Sequence, residues 1–203
     1  DLQTPAPATP DCQQQWQPEC RTVIHYEDHI QPIWDRPRQA MVGGALTDVT
    51  CSSCHNRRDA SNALQVPPAQ LELTGDASPD LVLQPISYRE LLFDDDEVVL
   101  VNGALVDRLV VATDDDGNVV YQTDEDGELI LDSQGNPIPE LETVELDPPI
   151  RFGRARTSTA FFDIFAAGGS HEGWLDAQEH RLLAEWIDLG AQLYNDPFRV
   201  PEN

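Results

Sequence analysis

The chain has no lysine: its twelve basic residues are all arginine, set against 37 acidic ones, for a net charge of −25. Both nucleic acid and anionic lipid would repel such a surface, so neither is expected as a partner. No apolar run is long enough to span a bilayer. The sequence begins at Asp1 without a basic-then-apolar leader, and the expectation is a mature form whose signal peptide has gone. Carboxylates in excess without lysine suggest a salty exterior; the plainer explanation is compositional bias plus solubility. Methionine occurs once, at Met41, and cysteine four times.

Two of those cysteines stand in Cys51-Ser52-Ser53-Cys54-His55. A C-x-x-C-H run is the covalent attachment spacing of a c-type haem. Its thiols, about one helical turn apart, add to the two vinyl groups of the porphyrin, and the histidine becomes the proximal iron ligand. Zinc is the first alternative, but a structural zinc site needs four ligands, and Cys12 and Cys20 have no zinc-knuckle spacing. A thioredoxin-like dithiol should follow a strand in a βαβ unit, and residues 43–50 show no strand run. The reading is therefore one covalent haem c on Cys51 and Cys54, with His55 as proximal ligand.

Cys12 and Cys20 are then left to form a disulfide, which would stabilise the fold by roughly 2–3 kcal/mol. Disulfides and c-type haem both belong outside the cytoplasm, so periplasm or cell exterior is the expected location.

Residues 1–22 read as a Pro-rich tail and a stapled loop, and 23–203 as the main domain. Ile30, Ile33 and Trp34 have helical spacing, giving a short helix that ends before Pro37. The C-x-x-C-H run should sit on a helical turn capped by Thr47 or Asp48. Arg57 and Arg58, just after it, suit haem propionates or a solvated surface pair equally. Tyr88–Phe93 is a further helical turn. From about 96 to 149 the period becomes two, and turns at Asp116-Gly117, Asp126-Gly127 and Gln134-Gly135 mark an inserted meander of hairpins. Calcium is a weaker reading of the same acidic turns, because the twelve-residue loop pattern fails at its sixth and twelfth positions. Thr157–Phe165 should be a helix stopped by Gly168-Gly169. The last helix opens at Asp176, with Glu179 completing a capping box, and ends at Gly190.

The front helix, the haem run and the final amphipathic helix together resemble a class I cytochrome c. More specifically, Trp186–Ala191 after Leu175 and Glu179 resembles the last helix of bacterial cytochromes c, and His29–Trp34 resembles their front helix. With Tyr88–Phe93, Asn102–Leu105 and Tyr194–Phe198, the chain is most similar to the cytochrome domain related to the hydrazine synthase alpha subunit. The likeness covers roughly residues 23–58, 86–110 and 150–198. It implies a mainly α fold: a cytochrome c-like helical core around one haem, interrupted by the β-hairpin insertion.

For the sixth iron ligand, His171 lies in a glycine-flanked segment just before the last helix, where the resembling cytochromes often carry methionine. His29 on the front helix is the alternative. Met41 sits too close to Cys51, and His180 reads as a surface residue. Two imidazoles would give a comparatively low potential. The expected function is electron transfer, with a redox partner that offers a positive docking face. The competing readings are a haem enzyme subunit with an open sixth position, acting on peroxide or a small nitrogen compound, and a structural subunit of a self-assembling cytochrome complex or filament.

Overall fold

The computed structural model describes residues 23–194. Cys12, Cys20, the Pro-rich tail and residues 195–203 lie outside the described residues, and so does the expected disulfide. Two compact units divide the chain, Asp94–Leu146 forming one and the residues on either side of it the other.

The first unit begins with a wide helical turn, Tyr26–Ile30, running into α1 (Gln31–Asp35). Pro32 falls in the first turn of α1, where its missing N–H costs nothing. The chain then makes an antiparallel hairpin, β1 (Gln39–Val42) and β2 (Ala45–Asp48). Gly43 and Gly44 turn it, with φ of +60° and +87°. Two consecutive left-handed positions are what a tight hairpin turn requires, and glycine takes both without a Cβ penalty. This strand pair corrects the expectation of no strand ahead of the cysteines, although it belongs to a hairpin and not to a βαβ unit. Helix α2 (Cys51–Cys54) follows, then α3 (Ile86–Leu92), α4 (Thr159–Asp163) and α5 (Ala177–Asp188).

One core joins these pieces. Ile24, Tyr26, Ile30, Ile33 and Trp34 pack with Leu91 from α3 and with Leu182, Leu183, Trp186 and Ile187 from α5, all 0–1% exposed. Burying each such aliphatic side chain contributes about 1.5–3 kcal/mol relative to leaving it in water. Tyr26 sits at the centre, its ring 5.1 Å from Tyr88 and 5.3 Å from Trp186, while its hydroxyl accepts the Trp34 indole N–H at 3.1 Å. Removal from water pushes the Tyr26 hydroxyl pKa upward.

The second unit is a branched β-ladder. Strands β3 (Asp95–Asp96) and β8 (Glu145–Leu146) form its stem. Strands β4 (Val98–Val101) and β5 (Ala104–Asp107) make a hairpin turned at Asn102-Gly103, and β6 (Leu109–Val111) pairs with β7 (Leu141–Thr143). Beyond β6 the pairing continues through single bridges: Thr113–Val119, Tyr121–Pro139, Thr123–Leu129 and Leu131–Pro137. Where the ladder branches, three backbones exchange hydrogen bonds in a ring. Glu97 donates to Val144, Val144 to Arg108 and Arg108 to Glu97; Ala112, Glu140 and Val120 form a second such ring, and Gln122, Ile138 and Ile130 a third. Each Asp-x-x-Gly loop closes in one way: Oδ1 of Asp114, Asp124 or Asp132 accepts the N–H groups two and four residues on, at 2.8–3.0 Å.

The expectation of a mainly α, cytochrome-like fold is overturned: helix accounts for 26% of residues and strand for 22%, in several small antiparallel sheets. The physical reason is local. Proline and glycine cut the helices short, so that α5, with 12 residues, is the one longer than seven among the described residues. The Asp-x-x-Gly loops then commit the second unit to β pairing.

Candidate functional site

The hairpin delivers the chain into α2 without a side-chain cap, and the N-cap is not Thr47 or Asp48 as expected. Thr50 is the N-cap, and Asp48, in β2, accepts both its backbone N–H at 2.9 Å and its hydroxyl at 2.7 Å. Those two bonds hold the Asp48 carboxyl below its ordinary pKa. Cys51 is buried (4% exposed) and Cys54 is exposed; neither is in a disulfide. Burial raises the Cys51 pKa, against the pull of the nearby Arg38 guanidinium.

His55 follows directly, its backbone N–H donating to Cys51 at 2.8 Å. Its ring Nδ1 lies 3.0 Å from the carbonyl oxygen of Leu71. A carbonyl only accepts, so Nδ1 carries the proton and Nε2 keeps the lone pair. Metal-bound histidines are oriented by this kind of outer hydrogen bond. Burial lowers the His55 pKa, opposed by the Leu71 and Pro68 carbonyls, and so favours the neutral imidazole.

The ring facing it is His171. The two centroids are 6.1 Å apart with an interplanar angle of 35°. Two imidazoles on opposite sides of one metal, each with a bond of about 2.0–2.1 Å and a centroid roughly 1.1 Å beyond its nitrogen, stand about 6.3 Å apart. Ordinary aromatic contacts also span this distance. What marks this pair is that Nδ1 is occupied on both rings, on His171 by Ser170 Oγ at 2.8 Å, so that Nε2 is the remaining nitrogen of each. His55 and His171 are thus the two imidazoles that could hold a haem iron between them.

His171 is held from several sides. Trp174 packs edge-on at 4.3 Å and Phe165 at 5.8 Å, and the His171 N–H donates to Ile164 at 2.8 Å. A Cβ on Gly169 would run into the carbonyl oxygens of Asp163 and Ile164, so this tight return needs glycine. Burial, then the charge of His55, lowers the His171 pKa.

The other histidines are engaged elsewhere. His29 accepts the His25 N–H on Nδ1 at 2.9 Å and stacks on the His25 ring at 5.9 Å. His180 is half-buried against Phe165 at 5.7 Å. Met41, in β1, is 68% exposed. Arg57 is not a solvated surface charge: it pairs at 2.9 Å with Glu72 and at 3.1 Å with Glu90, two buried carboxylates. Arg58 donates to the Asn62 carbonyl. Among the described residues no group of three or more His, Cys, Asp or Glu side chains is arranged to hold a metal ion.

One supporting set escaped sequence reasoning. Arg38 donates to both carboxylate oxygens of Glu179, at 2.6 and 3.0 Å, to the Trp174 carbonyl at 2.6 Å and to the Ile33 carbonyl at 2.9 Å. It thereby ties α1, α5 and the His171 loop together beside Cys51. The capping box of α5 was visible in the Asp176–Glu179 spacing, and it forms, with bonds of 2.8 and 2.9 Å. That Glu179 also receives an arginine 141 positions away carries no local signal.

Comparison of the chain with protein-family models, with curated proteins and with solved structures gives no match.

Proposed function

We propose that this chain is a monohaem c-type electron-transfer protein with two histidine axial ligands, working outside the cytoplasm. The observation that carries the reading is the C-x-x-C-H run at 51–55 with the His171 ring 6.1 Å from that of His55. When bound, the haem supplies a one-electron ferric–ferrous couple.

Cys51 and Cys54 would hold it by thioether bonds, each thiol adding S–H across one vinyl group. His55, its proton fixed on Nδ1 by Leu71, would hold the iron through Nε2. His171, braced by Trp174 and Phe165, would hold it as the second imidazole. With both positions filled from the protein, no coordination site remains for a substrate, which favours electron transfer over catalysis on peroxide or a nitrogen compound. The thioether anchor depends on α2 alone and needs no surrounding helical fold. The excess of carboxylates suits a positively charged redox partner, with association that slows as salt rises.

The test is spectroscopic, on protein produced with a haem-attachment system. The ferric form should be low-spin with two nitrogen ligands, and His171→Ala should turn it high-spin and open it to carbon monoxide when reduced. A native protein already high-spin and binding carbon monoxide would assign the open-site enzyme instead. A low-spin centre unaffected by His171→Ala would move the ligand elsewhere.

A further inference from the structure

The branched ladder has one face without charge. Cross-strand partners point to the same side of a sheet, and so do alternate residues along a strand. Applied to the register from Leu109–Thr143 through Val111–Leu141 and out to Leu131–Pro137, this places twelve side chains on a single face. They are leucine, valine, tyrosine, threonine and proline only. Seven are large apolar side chains between 41% and 55% exposed. The largest apolar patch on a typical monomer spans about 300–600 Å² and is often functional.

The emptiness of this face contrasts with its setting. Residues 94–146 hold sixteen acidic side chains and one basic one, Arg108, for −15 of the chain's −25. Between Leu109 and Thr143 those charges sit in the loops or, like Glu140 and Glu142, at positions that alternate onto the opposite face. A surface shaped for a basic partner would aim carboxylates at it. This one withdraws them and matches a face that is itself apolar and neutral.

We infer that the face is a self-association surface, stacking on the same face of a second copy about a two-fold axis. Stacked sheets pack this way, and the two-fold dimer is the commonest symmetric assembly. Twelve positions, at about 3.3 Å rise and 4.8 Å strand spacing, make a flat footprint of roughly 400 Å² per copy. Relief of the side chains enlarges it, but it stays at the small end of specific interfaces, so the dimer should be weak and concentration-dependent. The acidic loops at the rim of each copy repel. Salt must therefore strengthen the contact, the reverse of docking on a basic surface. The inference does not depend on the haem.

Sedimentation of the full chain at 0.1 M and 2 M NaCl over a range of concentrations tests it. Monomer at low salt and a rising dimer fraction at high salt are expected, with Leu131→Asp and Tyr121→Ser each returning the protein to monomer while its circular dichroism is unchanged. Glu142→Gln, on the opposite face, should leave the dimer intact. A monomer under all conditions, a dimer indifferent to both face substitutions, or association weakened by salt would overturn it.

Discussion

At the scale of single residues, the surroundings of Cys51 and the His171 loop depend on Glu179 and on Gly169. Glu179 is fully buried, and Arg38 and Arg36 pair with it at 2.6 and 3.0 Å. Removing one partner leaves a buried charge uncompensated, which costs about 3–5 kcal/mol. Glu179→Ala should therefore lower unfolding stability by about that much in a denaturant titration; a loss below about 1 kcal/mol would mean that water already screens the pair. Gly169→Ala acts on the other side. The new Cβ meets backbone oxygens of Asp163 and Ile164, neither of which can yield as a flexible side chain would, so the His171 loop must shift. The expected readout is a low-spin spectrum that becomes mixed or high-spin while the haem stays covalently attached. An unchanged spectrum would show that the loop relaxes without moving its histidine. The tightly bonded loop aspartates predict a pH effect. Backbone and side-chain donors at 118 and 136 hold Asp114 and Asp132 below the ordinary carboxylate pKa of about 3.9. A depressed folded-state value means that their stabilisation is present above the unfolded pKa and is lost as pH falls through the folded one. Carboxyl-carbon NMR titration should place both midpoints below those of the flexible chain; midpoints at or above it would contradict the loop geometry.

At the scale of elements, what could be read along the chain was whatever is encoded within a few residues. The last helix begins after Asp176 because its capping pair is three residues apart, and its apolar positions repeat with the helical period. The hairpin turns of the insertion were legible for the same reason, each being spelled out by Asp, Asn and Gly in sequence. The hairpin at Gln39–Asp48 was not. Its strands are four residues long and nearly all exposed, so no alternation of apolar and polar residues announces them, and Gly43-Gly44 is the one hint. Thr50 displaces Thr47 and Asp48 as the cap of α2 because that hairpin uses both as strand residues. The three-way hydrogen-bonded rings of the ladder lie beyond any local reading, since each joins segments whose separation is set by the loops between them. Mostly-helical architecture was the expectation most exposed to this weakness, because it rested on a likeness carried by a few short segments. The pairing of His55 with His171 is likewise a long-range fact. Sequence supplied the candidates, through the cysteine motif and a glycine-flanked histidine, and tertiary packing sets the spacing between them.

At the scale of the molecule, charge is the dominant feature. A net −25 on 203 residues, with more than half of it in residues 94–146, sets up self-repulsion within the folded chain. The screening length falls from about 10 Å at 0.1 M salt to about 3 Å at 1 M. The melting temperature should therefore rise between those concentrations in sodium chloride, and a flat or falling curve would show that the carboxylates are too well hydrated to strain the fold. No helix among the described residues is long and apolar enough to cross a membrane. The proposed electron-transfer role requires that Cys51 and Cys54 carry a porphyrin. Intact-mass and peptide mass spectrometry of protein produced with a haem-attachment system tests that most directly. The account predicts a polypeptide heavier by one haem, located on the peptide holding residues 51–55 and resistant to reducing agents. A bare polypeptide whose thiols at 51 and 54 react freely with an alkylating reagent would contradict it.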